Sequence, residues 1–257
     1  MEDANLGTMQ FQEHRIESVG LPINYIEAGQ GNTVVTLDSI ALGFSNLQNI
    51  LAQTYRVVVL ELPGFGSLPV NNESSSAKEL ANVVSQATEK IIPQKFTLIG
   101  TSFSANVALW LAIQAPEQVE ALVLISPTAL HPLELANQLL AHSERSPGLP
   151  TLPDILAKEQ ELIRRFGGGT HDVEVEGMLN QIQCPTLVLF GAKDQLVNTS
   201  AASIYRREIP NCNVSIVYDA GHLIEAERPE ALVKAVVDYV ERRETFVVSR
   251  DSRVINP

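Results

Sequence analysis

Basic residues are scarce in this 257-residue chain: 18 lysines and arginines stand against 30 aspartates and glutamates, a net charge of −12. Nucleic acid and anionic membrane surfaces bind basic patches, so neither is an expected partner, and the acidic excess reads as a solubility feature. Cysteine is scarcer still, with only Cys184 and Cys212. A bridge between them is one reading; two free, buried thiols suit a cytosolic chain better. No Cys/His cluster has metal-ligand spacing and the five histidines are scattered, so neither metal nor other cofactor is expected. Long apolar runs are missing as well: Arg56–Leu60 is strand-length and far short of a membrane span. The opening Met1-Glu-Asp-Ala-Asn5 is acidic and lacks the basic-then-apolar pattern of a signal peptide. The expectation is a soluble cytoplasmic protein.

What is present is enough apolar material for a large core. Hydrophobic residues are 45% of the chain and charged residues 19%, which excludes a disordered chain. Short β-rich runs alternate with helical patterns. Phe11–Val19 and Ile23–Ala28, joined by Gly20-Leu-Pro22, alternate in polarity as an antiparallel edge pair would. Thr33–Leu37, Arg56–Leu60, Phe96–Ile99, Ala121–Ile125, Thr186–Phe190 and Val214–Tyr218 are apolar throughout or nearly so, as strands covered on both faces are. Ala77–Ile91, Ser104–Ala115, Ser200–Ile209 and Pro229–Arg243 carry apolar residues at helical spacing. This alternation predicts an α/β fold: a doubly wound, mostly parallel sheet of about eight strands.

One stretch breaks the rhythm. More residues lie between Ser126 and Thr186 than one crossover helix needs. Leu133–Ala141 and Asp154–Phe166 read as amphipathic helices, with Asp154 as an N-cap, Gly167-Gly-Gly169 as a stop, and Pro147, Pro150 and Pro153 between them. The division is therefore a core of residues 1–127 and 183–257 with a small helical lid at 128–182. The alternative is a second helical layer packed on the sheet. Leu133, Leu135, Leu139, Leu140, Leu156, Leu162, Ile163 and Phe166 would line an apolar pocket or pack the lid down. His131, His142 and His171 lie in or near it, as substrate contacts or as ordinary exposed or packing histidines.

Three motifs carry chemistry. In Leu98-Ile-Gly-Thr-Ser-Phe-Ser-Ala105 an apolar strand runs straight into a helix with Ser102 at the corner. A nucleophile there sits on a strained turn that lifts its hydroxyl above the sheet, and the positions two before and two after must be small. They are Gly100 and Ser104. Read alone, G-x-S-x-S is a weak signal and Ser102 would be a helix N-cap. In Thr186-Leu-Val-Leu-Phe-Gly-Ala-Lys-Asp194 a strand ends in Gly191 and Asp194 follows at the sheet edge where ligand groups gather. In Val217-Tyr-Asp-Ala-Gly-His222 a strand leads to a loop histidine. Alone, these two would be a turn aspartate and a surface histidine.

Taken together, the order Ser, Asp, His, each just after a strand, resembles the α/β-hydrolase superfamily over roughly Gln10 to Arg243. Glu61-Leu-Pro-Gly-Phe-Gly66 is similar to the D-x-x-G-x-G turn of that family. The resemblance implies a catalytic triad of Ser102 as nucleophile, His222 as general base and acid, and Asp194 as its orienting partner. It also implies an oxyanion hole built from the backbone N–H groups of Phe103 and Ile40. A serine nucleophile disfavours the dehalogenase and epoxide-hydrolase chemistry of families that use aspartate.

The pattern departs from the family at three places. Asp38-Ser39 stands where the family has His-Gly after the third strand. Glu61 replaces the Asp of the next turn, with Leu68 at the place of its trailing serine. Ser104 replaces the second Gly of the elbow. A carboxylate at position 38 would oppose an oxyanion if aimed at the hole, or hold the loop if turned onto backbone N–H groups. The function expected is that of an esterase-like serine hydrolase acting on a small, mainly apolar ester, thioester, lactone or C–C bond. The alternative is a catalytically weak binding or regulatory protein on the same fold, with a lyase or cofactor-free peroxidase as a third reading. The β-branched tail from Thr245 to Pro257 is either frayed or a pairing element for a neighbouring subunit, and the lid or this tail would carry any homo-oligomer.

Overall fold

A computed structural model describes residues 9–40, 43–130, 153–167, 171–243 and 254–255. The chain begins with the expected edge pair: β1 (Gln12–Ser18) lies antiparallel to β2 (Leu21–Ala28), with Ser18 opposite Leu21. Val19 and Gly20 make the two-residue turn between them, both with positive φ, 53° and 75°. That conformation matches the right-handed strand twist and suits Gly20.

β3 (Thr33–Leu37), β4 (Arg56–Leu60), β5 (Phe96–Thr101), β6 (Val119–Ile125), β7 (Thr186–Gly191), β8 (Cys212–Val217) and β9 (Val254–Ile255) follow, and the spatial order is β1-β2-β4-β3-β5-β6-β7-β8-β9. From β4 to β8 every neighbouring pair is parallel. The ninth strand is the addition to the eight expected: Val254–Ile255 in the tail pairs antiparallel with Ile216–Val217 of β8 in its own chain. The remainder of the tail lies outside the described residues.

Each central strand buries both faces, which is why its sequence is apolar without alternation. Val35, Leu98, Leu122 and Val188 face one core with α2 (Ala77–Ile91) and α3 (Phe103–Gln114). Val34, Ile99, Val123 and Leu189 face the other, with α1 (Asn46–Leu51) and the C-terminal helix Pro229–Arg242. This is the doubly wound arrangement. Helix ends follow sequence: Ser76 caps α2 by accepting from Glu79 N–H, and Ser45 and Gln48 form a capping box on α1.

Of the two helices expected in the inserted stretch, Leu133–Ala141 lies outside the described residues, as do His131 and His142. The other is α4 (Pro153–Arg165). It starts one residue early, because Pro153 suits the first helical position, and Asp154 therefore sits in the first turn instead of capping it. Beyond it come α5 (Val173–Met178), capped by Asp172, then α6 (Ala201–Glu208), the short α7 (Ile224–Glu227) and α8 (Pro229–Arg242). No helix among the described residues is long and apolar enough to cross a membrane.

Candidate active site

The C-terminal ends of β5, β7 and β8 converge, and each carries one residue of the expected set. Ser102 sits between β5 and α3 with φ 54° and ψ −117°, a strained conformation for a side-chain-bearing residue. Its N–H donates to Ile125 O at 2.8 Å, which ties the corner to β6. Gly100 is required here: a Cβ would fall 2.7 Å from Ala105 Cα and from Ser104 O. Ser104 fits where the family has glycine because its Oγ is fully used. It accepts from Thr101 N–H at 2.9 Å and lies 2.8 Å from Leu37 O and 3.0 Å from Thr101 O, linking the elbow to β3.

His222 joins the other two residues. Its Nε2 is 2.9 Å from Ser102 Oγ and its Nδ1 is 2.9 Å from Asp194 Oδ2. Asp194 can only accept, so Nδ1 carries the proton and Nε2 presents its lone pair to the serine hydroxyl. The Asp194 side chain is fully buried, and its second oxygen accepts from Leu196 and Val197 N–H at 2.8 and 2.9 Å. The histidine loop is braced from two sides. Ser126 Oγ donates to His222 O at 2.9 Å, and Gly221 N–H donates to Glu227 Oε2 at 2.8 Å. Gly191 lets this loop approach β7, since a Cβ there would meet Gly221 O at 2.0 Å.

Phe103 N–H, at the first position of α3 next to Ser102, has no acceptor within its own helix. Ile40 is different. Its N–H donates to Glu61 Oε1 at 3.1 Å, so the second expected oxyanion donor is engaged by a carboxylate in this arrangement. The cause is the departure at Glu61, whose longer side chain reaches the loop. Asp38 is turned onto its own loop and α1: Oδ1 accepts from Ser39 N–H at 2.8 Å and Oδ2 from Gln48 Nε2 at 3.3 Å. Of the two orientations considered for it, the structure adopts the loop-holding one.

A family model described as the alpha/beta hydrolase family matches residues 37–235, a span that contains all three converging residues. The chain belongs to the alpha/beta hydrolase family. Among its relatives, this family member is 25% identical over 275 residues to a 2-hydroxy-6-oxononadienedioate/2-hydroxy-6-oxononatrienedioate hydrolase of Pseudomonas putida, with 90% of this chain and 96% of that one covered. It is 23% identical over 232 residues to monoacylglycerol lipase ABHD6 of Homo sapiens, covering 74% and 68%. Among solved structures, a serine hydrolase of carbazole degradation superposes with a TM-score of 0.72 at 21% identity, covering 91% of this chain and 100% of that one. Carboxylesterase CesB of Bacillus subtilis gives 0.70 at 18% identity, covering 91% and 93%. The protein is thus an enzyme of the α/β-hydrolase kind.

Sequence reasoning missed how this hydrolase secures the loop after β3. Ser39 Oγ donates to Glu159 Oε1 at 2.7 Å, and Gly66 N–H donates to the same oxygen at 2.9 Å. Lys158, one residue earlier on α4, reaches Leu68 O at 2.7 Å. Phe65, Phe103 and Phe166 stack at centroid distances of 6.2 to 6.4 Å, joining the glycine turn, the elbow and the end of α4. The available signal was a glutamate on the apolar face of a helix, at a position where helical spacing calls for a hydrophobic residue. His171 pairs with Glu176 at 2.6 Å and has no part in the converging set.

Proposed function

We propose that the protein is a serine hydrolase that cleaves a small, mainly apolar ester or related acyl compound through an acyl-enzyme on Ser102. The observation that carries this reading is the unbroken chain Ser102 Oγ, His222 Nε2, His222 Nδ1, Asp194 Oδ2, with 2.9 Å at each junction. Ser102 Oγ attacks the acyl carbon while its proton passes to His222 Nε2. The resulting imidazolium is held by Asp194. It then protonates the leaving oxygen as the acyl–oxygen bond breaks. Water, deprotonated by the same nitrogen, attacks the acyl-enzyme and frees Ser102. Phe103 N–H supports the oxyanion in both steps.

The names of the relatives, a monoacylglycerol lipase and a C–C bond hydrolase, support acyl-group chemistry and leave the bond open. The buried rings of Phe65, Phe103 and Phe166 beside the elbow support an apolar acyl or alcohol group. The test pairs a fluorophosphonate with p-nitrophenyl and alkyl esters of graded chain length. Stoichiometric labelling of Ser102 with turnover supports the reading, and absence of labelling in folded protein overturns it. The engagement of Ile40 N–H by Glu61 favours a second reading, a binding protein with little turnover. Labelling without turnover on any acyl substrate would select it.

A further inference from the structure

The register of β3 against β5 places Leu37 beside Gly100, so the Asp38–Ile40 loop runs alongside the corner that holds Ser102. Two buried carboxylates hold that loop. Glu159, from α4, accepts from Ser39 Oγ, and Glu61, from the end of β4, accepts from Ile40 N–H. Glu61 is 1% exposed and its other oxygen accepts from Asn24 Nδ2 at 3.3 Å. Gly66 makes room for it, since a Cβ at that position would lie 1.7 Å from Glu61 Oε1. An aspartate at position 61, the residue of the family turn, is one methylene shorter and would not reach as far.

We propose that Glu61 is a positioning residue that withholds the second oxyanion donor. It thereby confines efficient turnover to acyl substrates with good leaving groups. The inference rests on Ser102 being the nucleophile. A hydrogen bond to a carboxylate is roughly twice as strong as one to a neutral oxygen, so the Ile40 N–H stays with Glu61 in the presence of an ester carbonyl. Esters with poor leaving groups depend most on oxyanion stabilisation, because expulsion of the alcohol is their difficult step. They therefore lose most from a missing donor. Activated esters lose less.

The experiment compares methyl and p-nitrophenyl esters of one carboxylic acid across the unaltered protein, Glu61→Asp and Glu61→Gln. Glu61→Asp is expected to raise kcat/KM for the methyl ester at least about tenfold, a fraction of the 10²–10³ a full donor supplies, and to raise the p-nitrophenyl ester less. Glu61→Gln, which keeps an acceptor for Ile40 N–H without the charge, should fall between. A folded Glu61→Asp protein with an unchanged or lower methyl-to-p-nitrophenyl ratio overturns the inference. A second measurement uses the unaltered protein and does not depend on the variants folding. In ¹⁵N-labelled protein, phosphonylation of Ser102 should shift the Phe103 amide strongly and leave Ile40 in place. Equal movement of both amides overturns the inference while leaving the serine hydrolase reading intact. Failure of any phosphonate to label Ser102 overturns that reading, and this inference with it.

Discussion

Ser39 and Glu159 lie 120 residues apart in sequence and 2.7 Å apart in space, Oγ to Oε1. Through this bond the helix inserted between β6 and β7 grips the loop that follows β3. Glu159 is 5% exposed, so both partners and the Gly66 N–H that shares the oxygen are withdrawn from water. α4 is therefore anchored to the sheet edge at Glu159, Lys158 and Phe166.

Removing the Glu159 carboxylate should strand two buried donors. Glu159→Ala leaves Ser39 Oγ–H and Gly66 N–H without their acceptor, at a cost of about 1–3 kcal/mol each. Glu159→Gln keeps an acceptor and should lose clearly less. Urea unfolding of the three proteins measures this, and equal midpoints for Ala and Gln would contradict it.

Ser102→Ala and His222→Ala should each lower ester turnover by about 10⁴-fold or more, and the double variant should be little worse than either single one. In the proposed mechanism the two side chains act as one unit, joined by the 2.9 Å bond between them. Initial rates on a p-nitrophenyl ester, with circular dichroism as the folding control, provide the check. Additive losses would mean that the two residues work independently.

Gly191→Ala is expected to damage activity more than stability alone explains. Its Cβ would collide with the carbonyls of Gly221 and Ala220, which are backbone and cannot swing aside as a side chain could. The loop must shift, and His222 shifts with it. A displacement of this kind, about 1 Å, is enough to cost on the order of 10²-fold in rate. Steady-state kinetics well below the melting temperature separate this effect from unfolding.

Glu225 supplies a pH test. Burial raises its carboxyl above the ordinary value of 4.5, hydrogen bonds from Ser45 and the Leu47 N–H oppose the rise, and the nearby Asp38 adds to it. A carboxyl whose pKa is raised on folding binds its proton more tightly in the folded chain. Its contribution is therefore most favourable at low pH and is lost as pH climbs from the unfolded value through the folded one. Glu225→Gln keeps an acceptor for Leu47 N–H and escapes this penalty. Its melting temperature should exceed that of the unaltered protein at pH 7, and the advantage should vanish below about pH 4. A constant difference across that range would rule the account out.

The central strands and the long helices were legible in sequence because their residues answer to local rules. Val57–Leu60 is apolar since both faces are covered, and Ala77–Ile91 is amphipathic since one face is. Ser102, Asp194 and His222 were legible through order and setting. The short helices Asn46–Leu51 and Ile224–Glu227 were not, because pieces of six and four residues carry too little periodicity to register. The engagement of Ile40 was hidden for a different reason. A backbone N–H leaves no mark in sequence, and its partner is decided by how far Glu61 reaches in three dimensions. Glu159 gave only the faint sign of an acidic residue on a buried face, whose meaning depended on a hydroxyl at Ser39 brought there by the fold.

The short antiparallel strand Val254–Ile255 meets β8 at Ile216 and Val217, the last two residues before the loop that carries His222. On its other side β8 is paired with β7 through Val217. The segment that launches the histidine thus has ladder neighbours left and right at the point where an edge strand would breathe. Its amide protons should exchange with deuterium on the timescale of an interior strand, so that the loop carrying His222 starts from a doubly held base.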